Sequence, residues 1–215
     1  MIGFYNYTVY MTFLGLVSSA YGLVMAATGH PLRALAMLML SGVCDMFDGK
    51  IARTRKNSTD EEKRFGVQLD SLSDIVCFGA LPAAIGAALL PSGTAAWIRV
   101  VSAACSCLLV LCALIRLAYF NVKEEERQKT TNERRTSFIG LPVTTSALIF
   151  PLAFALSRVL PGIFSLLIYP FAMLVTAILF ISPINVRKAH GAGLVILSAI
   201  GAAEIAFIAW AVLRR

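Results

Sequence analysis

Histidine is nearly absent from this sequence, and acidic residues are few. Two His and twelve Asp and Glu stand among 215 residues, against nineteen Lys and Arg. The five cysteines (Cys44, Cys77, Cys105, Cys107 and Cys112) all fall inside apolar runs and show none of the paired spacing of a metal site. They read as small hydrophobes, with no disulfide expected. The N-terminus lacks a basic stretch followed by a cleavage site, so no cleavable signal is expected. There is no internal repeat and no low-complexity segment. The net charge of +7 could suit nucleic acid, but thirteen of the nineteen basic residues lie in or beside three loops between apolar runs. That distribution is the positive-inside pattern of a membrane protein, which makes those loops cytoplasmic and removes nucleic acid as an expected partner.

What is abundant is apolar sequence. Hydrophobic residues make up 58% of the chain, and the mean hydropathy is +0.77, outside the range of an ordinary soluble domain. After a lead over residues 1–7 with Phe4, Tyr5 and Tyr7 at the membrane interface, spans are expected over about 8–28, 32–53, 66–90, 95–120, 140–157, 162–181 and 193–213. Pro82 should kink the third span. The fold class is therefore an all-α polytopic bundle of six to eight transmembrane helices, with seven as the count, built as one membrane domain over residues 1–215. Seven spans from a cytoplasmic N-terminus would leave Arg214 and Arg215 outside, against the charge rule. His30 sits in a turn on the side away from the acidic residues described next and reads as solvated. Glu204, alone in the last span, reads as a packing or interface group.

Four of the five aspartates, Asp45, Asp48, Asp70 and Asp74, lie inside or beside two adjacent apolar spans. An ionised carboxylate in a span is unfavourable by about 3 kcal/mol or more unless it is compensated. Four in neighbouring spans call for a shared compensator, and bound divalent metal is the simplest one. The spacing agrees. Asp45 and Asp48 are i,i+3 and Asp70 and Asp74 are i,i+4, so each pair shares one helix face. With neither His nor Cys among them, hard oxygen ligands in this number suit Mg²⁺ or Mn²⁺, not zinc.

The residues between fit a phosphate-bearing ligand. Gly49 and Ala52 are small at i,i+3 and allow close approach. Arg53 offers a planar fork for phosphate oxygens, and Gly66 keeps the start of the next helix open. The order Asp45-x2-Asp48-Gly49-x2-Ala52-Arg53, twelve residues, then Gly66-x3-Asp70-x3-Asp74 resembles the signature of the CDP-alcohol phosphotransferase family at all eight positions. The gap between Arg53 and Gly66 is longer than is usual in that family; the excess is polar and should lengthen a cytoplasmic loop.

The resemblance implies an integral membrane enzyme of the cell membrane, its active site near the cytoplasmic ends of the second and third spans. It implies transfer of a phosphatidyl group from CDP-diacylglycerol to an alcohol with release of CMP, in a ternary complex without a covalent nucleophile. Two Mg²⁺ or Mn²⁺ ions would be held by Asp45, Asp48, Asp70 and Asp74. The nucleotide would lie against Asp48, Gly49, Ala52, Arg53, Gly66 and Asp70. The family assigns Asp74 the role of base, though one turn beyond Asp70 it could equally bridge to a metal. Homodimers occur in the family.

Three further stretches, QLDSLSDIVCFG (68–79), RLAYFN (116–121) and FIGLPVTTSA (138–147), resemble the phosphatidylserine synthase branch. One departure is Thr144, where that branch often has a second proline. L-serine is then the implied acceptor, and Arg116, an arginine inside the fourth span, is the candidate for its carboxylate, with snorkelling to the headgroups as the alternative. Glycerol 3-phosphate, inositol or inositol phosphate are the other acceptors to weigh. A divalent cation transporter is the reading from a different class, but transport has no need of Gly49, Ala52, Arg53 and Gly66.

Overall fold

A computed structural model describes residues 3–52, 59–130 and 137–187, together with Gly201, Ala203 and Ala206. The expected span over residues 193–213 as a unit, Glu204, Arg53, Arg214 and Arg215 lie outside the described residues.

The described chain is helical apart from one small ribbon. Helices α1 (Tyr10–Ala27) and α2 (Pro31–Ala52) form an antiparallel hairpin. α3 (Asp60–Asp74) runs through a π-helical segment, Ile75–Ala80, into α4 (Leu81–Ala88). α5 (Ala96–Thr130) is the longest element, and α6 (Ser146–Val159) and α7 (Ile163–Ile181) follow. Among the described residues four helical runs are long and apolar enough to cross a membrane: Tyr10–Ala27, Asp60–Ala88, Ala96–Glu126 and Ile163–Ile181. Val143–Val159 is a shorter apolar run. α2, at 22 residues, is long enough but carries Arg33, Asp45, Asp48 and Lys50, two of them the acidic groups singled out above. This is an all-helical membrane protein.

Helix boundaries depart from the expected spans before Gly66, after Asn121 and at Gly140, each for a local reason. α3 starts at Asp60, six residues before the expected start, because Thr59 closes a capping box. The Thr59 hydroxyl accepts from the Glu62 backbone N–H at 3.2 Å, and the Glu62 carboxylate accepts from the Thr59 N–H at 3.0 Å. Asp60, Glu61 and Glu62 in the first turn add favourable charge at the positive end of the helix dipole. Gly66 therefore lies within a helix and does not open one. α5 continues to Thr130, where a loop from Asn121 is expected. At about 1.5 Å per residue its 35 residues exceed a hydrocarbon core of about 30 Å, so the charged end projects beyond it, with Lys123 paired to Glu126 at 2.9 Å.

Pro82 stands inside the run from α3 to α4. In a regular α-helix its ring would meet the carbonyl four residues back. Here the preceding turn is widened into the π segment, where the Leu81 N–H reaches back to the Val76 carbonyl. The Pro82 carbonyl accepts from the buried Tyr169 hydroxyl at 3.2 Å, which ties α4 to α7.

Lipid offers apolar side chains no reason to leave it, so helices in a bilayer pack through small residues that let backbones approach. That is what the seams show. A Cβ on Gly15 would lie 3.3 Å from Cys44 Cβ, one on Gly22 3.0 Å from Met37 Cβ, and one on Gly42 only 2.6 Å from Ala147 Cβ. The core between the helices is filled by Leu38, Phe78, Leu81, Leu109, Phe150 and Met173, all at most 1% exposed.

The stretch around Gly140-Leu141-Pro142 makes a turn before the fifth helix. Strand β1 (Ser137–Ile139) pairs antiparallel with β2 (Asn185–Arg187), with Phe138 opposite Val186. Gly140 has φ +78°, and a Cβ there would lie 2.8 Å from the Phe180 carbonyl, so only glycine fits. Its N–H donates to the Ile184 carbonyl at 2.8 Å. α6 then begins at Ser146 after a 3₁₀ turn over Val143–Thr145.

The seams give a test. Gly42→Leu should lower the melting temperature in detergent by several degrees, since overpacking costs about 1–3 kcal/mol. Gly93→Ala, at a position where a Cβ meets nothing within 4 Å, should leave it unchanged. Equal melting of Gly42→Leu and the parent would show that the α2–α6 seam is not close-packed.

Candidate active site

α2 delivers Asp45 and Asp48 in its last two turns, and α3 delivers Asp70 and Asp74 at its C-terminal end. The two helices bring these faces together. One carboxylate oxygen each from Asp45, Asp70 and Asp74 lies within 4.8 Å of the others. Asp74 is 8% exposed, and Asp45, Asp48 and Asp70 are half-buried. Asp48 stands beside this trio, within hydrogen-bonding reach of Asp70, and its Oδ2 accepts from the Thr12 hydroxyl at 3.3 Å.

Three carboxylates at this separation repel by roughly 3 kcal/mol per pair at an effective dielectric of about 20. No Lys or Arg forms an ion pair with them among the described residues. An oxygen-only donor set converging on one point, in surroundings that disfavour negative charge, is what a hard divalent cation requires. The residues fit Mg²⁺ or Mn²⁺ as the spacing predicts.

A small cleft opens on the acidic groups. α1 contributes Met11, Thr12 and Gly15 to its wall, α2 contributes Ser41, Asp45 and Asp48, and α3 with the π segment contributes Ser73, Asp74, Cys77 and Phe78. Beside it the signature glycines leave room. A Cβ built at Gly49 or at Gly66 would meet nothing within 4 Å, in contrast to the packed glycines of the seams. Ala52 ends α2 one turn beyond Asp48 and Gly49. The seven described signature positions thus fall on two facing helices, and the eighth, Arg53, lies outside the described residues.

Arg116 stands on α5, 8% exposed. It is near enough to Asp74 for direct electrostatic attraction, and its guanidinium lies 6.0 Å from the Phe120 ring centre. Among the described residues its Nε has no hydrogen-bond partner. A buried arginine with a free donor, beside but not paired with the carboxylates, is equipped to receive an anion. One turn further on, Asn121 accepts from the Ser71 hydroxyl at 3.0 Å and joins α5 to α3 beside Asp70. His30 is exposed at the opposite end of α2, 3.2 Å from the Thr28 hydroxyl, as its solvated reading requires.

Sequence reasoning missed Thr12 and the Ser71–Asn121 pair. Ser71 and Asn121 both fall inside stretches already marked for resemblance, so a signal was present. Thr12 is one hydroxyl in an apolar span and carries no spacing signal of its own.

Residues 5–181 match the sequence profile of the CDP-alcohol phosphatidyltransferase family. Over 158 residues the chain is 34% identical to the CDP-diacylglycerol–serine O-phosphatidyltransferase of Saccharomyces cerevisiae, covering 69% of this chain and 54% of that one. Over 177 residues it is 32% identical to the archaetidylserine synthase of Methanothermobacter thermautotrophicus, covering 82% and 67%. A serine O-phosphatidyltransferase of Helicobacter pylori is 29% identical over 152 residues, covering 71% and 56%. The chain thus spans from about half to two thirds of the length of these relatives.

Two substitutions separate the metal ligands from the open faces. Mn²⁺ at a hundredfold excess over its dissociation constant should stabilise the parent by about 2.7 kcal/mol, seen as a higher melting temperature in detergent, and Asp70→Ala should abolish that shift. Gly66→Leu should keep the metal-free melting temperature and lose the further shift produced by CDP. A parent protein that Mn²⁺ does not stabilise would contradict the metal-site reading.

Proposed function

The chain belongs to the CDP-alcohol phosphatidyltransferase family, and on that premise we propose that it transfers a phosphatidyl group from CDP-diacylglycerol to the hydroxyl of L-serine, releasing CMP. The observation that carries the reading is the convergence of Asp45, Asp70 and Asp74 within 4.8 Å beneath helix faces left open at Gly49 and Gly66. A structural polar cluster would have no use for that open space, and a cation pathway would have none for the glycines.

In this reading Asp45, Asp48, Asp70 and Asp74 hold two Mg²⁺ or Mn²⁺ ions, which when bound neutralise charge on the pyrophosphate and the leaving phosphate. Gly49, Ala52 and Gly66 clear space for the nucleotide, with Asp48, Asp70 and Arg53 around it. The acceptor hydroxyl is too weak an acid to attack unaided, so Asp74 takes its proton at the carboxylate. As the serine oxygen bonds to the lipid-bearing phosphorus, the bridging P–O bond to CMP breaks and CMP departs with that electron pair. All four carboxylates come from one chain.

L-serine as acceptor is supported by the names of the relatives and by Arg116, whose free Nε suits the amino acid's carboxylate. The archaeal relative is named for an archaetidyl lipid, so the donor's chains are identified by assay with both lipid types. The open end of the site lies on the side of the 59–66 stretch and the charged end of α5. By the positive-inside rule we place that side in the cytoplasm.

Three measurements test this. Purified protein given CDP-diacylglycerol, Mn²⁺ and a panel of alcohols should make phosphatidylserine and CMP; preference for glycerol 3-phosphate or inositol would refute the serine assignment and leave the family standing. Arg116→Ala should raise the serine KM by at least about tenfold, the scale of a lost charge-assisted bond of about 1.5–3 kcal/mol, with a much smaller change for the CDP-lipid. A parallel rise in both constants would place Arg116 on phosphate instead. Cysteines introduced at Glu61 and Ser92 should label with impermeant reagents from opposite sides, Glu61 from the cytoplasm.

A further inference from the structure

α1 and α2 meet along one antiparallel seam, and the seam has a polar end. Gly22 faces Met37, Gly15 faces Cys44 with Ser41 beside it, and Thr12 faces Asp48. Each step down α1 is matched by an equal step up α2, so the two close glycine contacts set the height at which Thr12 stands. The lead segment steadies the same end, because Phe4 packs edge-on against Phe65 of α3 with ring centres 5.7 Å apart. Of the three α1 residues that line the cleft, Met11, Thr12 and Gly15, Thr12 alone has a hydrogen-bonding side chain.

Asp48 needs such a partner. It is not one of the three carboxylates whose oxygens converge, and Asp45 and Asp70 are both close acidic neighbours of it. The Gly49 backbone N–H also reaches this carboxylate, but it belongs to the next residue of the same helix and does not tie Asp48 to another element. The Thr12 hydroxyl, donating to Oδ2 at 3.3 Å, fixes that oxygen from α1. We propose that Thr12 is a positioning residue that orients the Asp48 carboxylate for divalent-cation binding. The inference rests on the reading that the signature carboxylates bind such a cation, and it assigns α1 a part in the site that the eight signature positions do not include. Partners that orient a ligand in this way commonly set metal affinity by 10–100-fold.

The test is Mn²⁺ titration of the detergent-purified full chain by calorimetry, without substrate. Thr12→Val keeps the shape and removes the donor, and should weaken Mn²⁺ binding by about tenfold or more. Thr12→Ser restores the hydroxyl and should bind close to the parent. Melting in EDTA should be alike for all three, which a packing role would not give. Should the valine variant fail to fold, Thr12→Ala against Thr12→Ser makes the same comparison. Parent-like affinity in the valine variant, or equal losses in valine and serine variants, overturns the proposal. A parent that binds no Mn²⁺ overturns the metal reading beneath it instead.

Discussion

Everything near the cleft depends on keeping carboxylates together where they repel one another. Asp45, Asp70 and Asp74 crowd within 4.8 Å at the end of a membrane bundle. No ion pair within the described chain relieves them, and Arg116, the nearest buried cation, attracts Asp74 without pairing to it. A folded chain holds such an arrangement when its helices are positioned by forces unrelated to the site, and a bound cation would supply the missing charge.

Those forces are visible in the seams. Gly15, Gly22 and Gly42 let α1, α2 and α6 approach so closely that an added methyl would collide at Gly42 and crowd its neighbours at Gly15 and Gly22. The π segment after Asp74 absorbs Pro82 without breaking the helix, so the acidic face of α3 and the packed face of α4 belong to one continuous rod. The capping box at Thr59 extends that rod beyond the membrane end of the site. Rigid scaffolding of this kind spends stability elsewhere to keep a self-repelling cluster in register. The glycines divide by purpose: those in the seams are filled by neighbours, and Gly49 and Gly66 face open space.

Much of the site was legible because helical spacing turns sequence order into geometry. Asp45 and Asp48, or Gly66, Asp70 and Asp74, share a face by arithmetic alone, and apolar flanks made their charges conspicuous. The helical bundle followed from hydropathy. Other features were harder to read, for distinct reasons. The charged stretches before Gly66 and after Asn121 looked like loops because polarity outweighed helix propensity; the Thr59–Glu62 capping box was there to be found. The π segment offers no signal beyond Pro82, because a proline in a span predicts a kink as readily as a bulge. Gly140-Leu141-Pro142 reads as the start of a span, yet Gly140 serves a ribbon whose partner strand lies after α7. Thr12 and Arg116 depend on which helices pack together, and only the α1–α2 seam and the α3–α5 contact reveal their surroundings.

In the proposed function the two helices carrying the signature form a cation site for a CDP-lipid. The most direct test is an experimental structure of the protein with Mn²⁺ and CDP, collected at a wavelength where manganese scatters anomalously. Anomalous density is expected among Asp45, Asp48, Asp70 and Asp74, with the pyrophosphate beside Gly49 and Gly66. Manganese density elsewhere, or CDP bound with these four carboxylates empty, would contradict it.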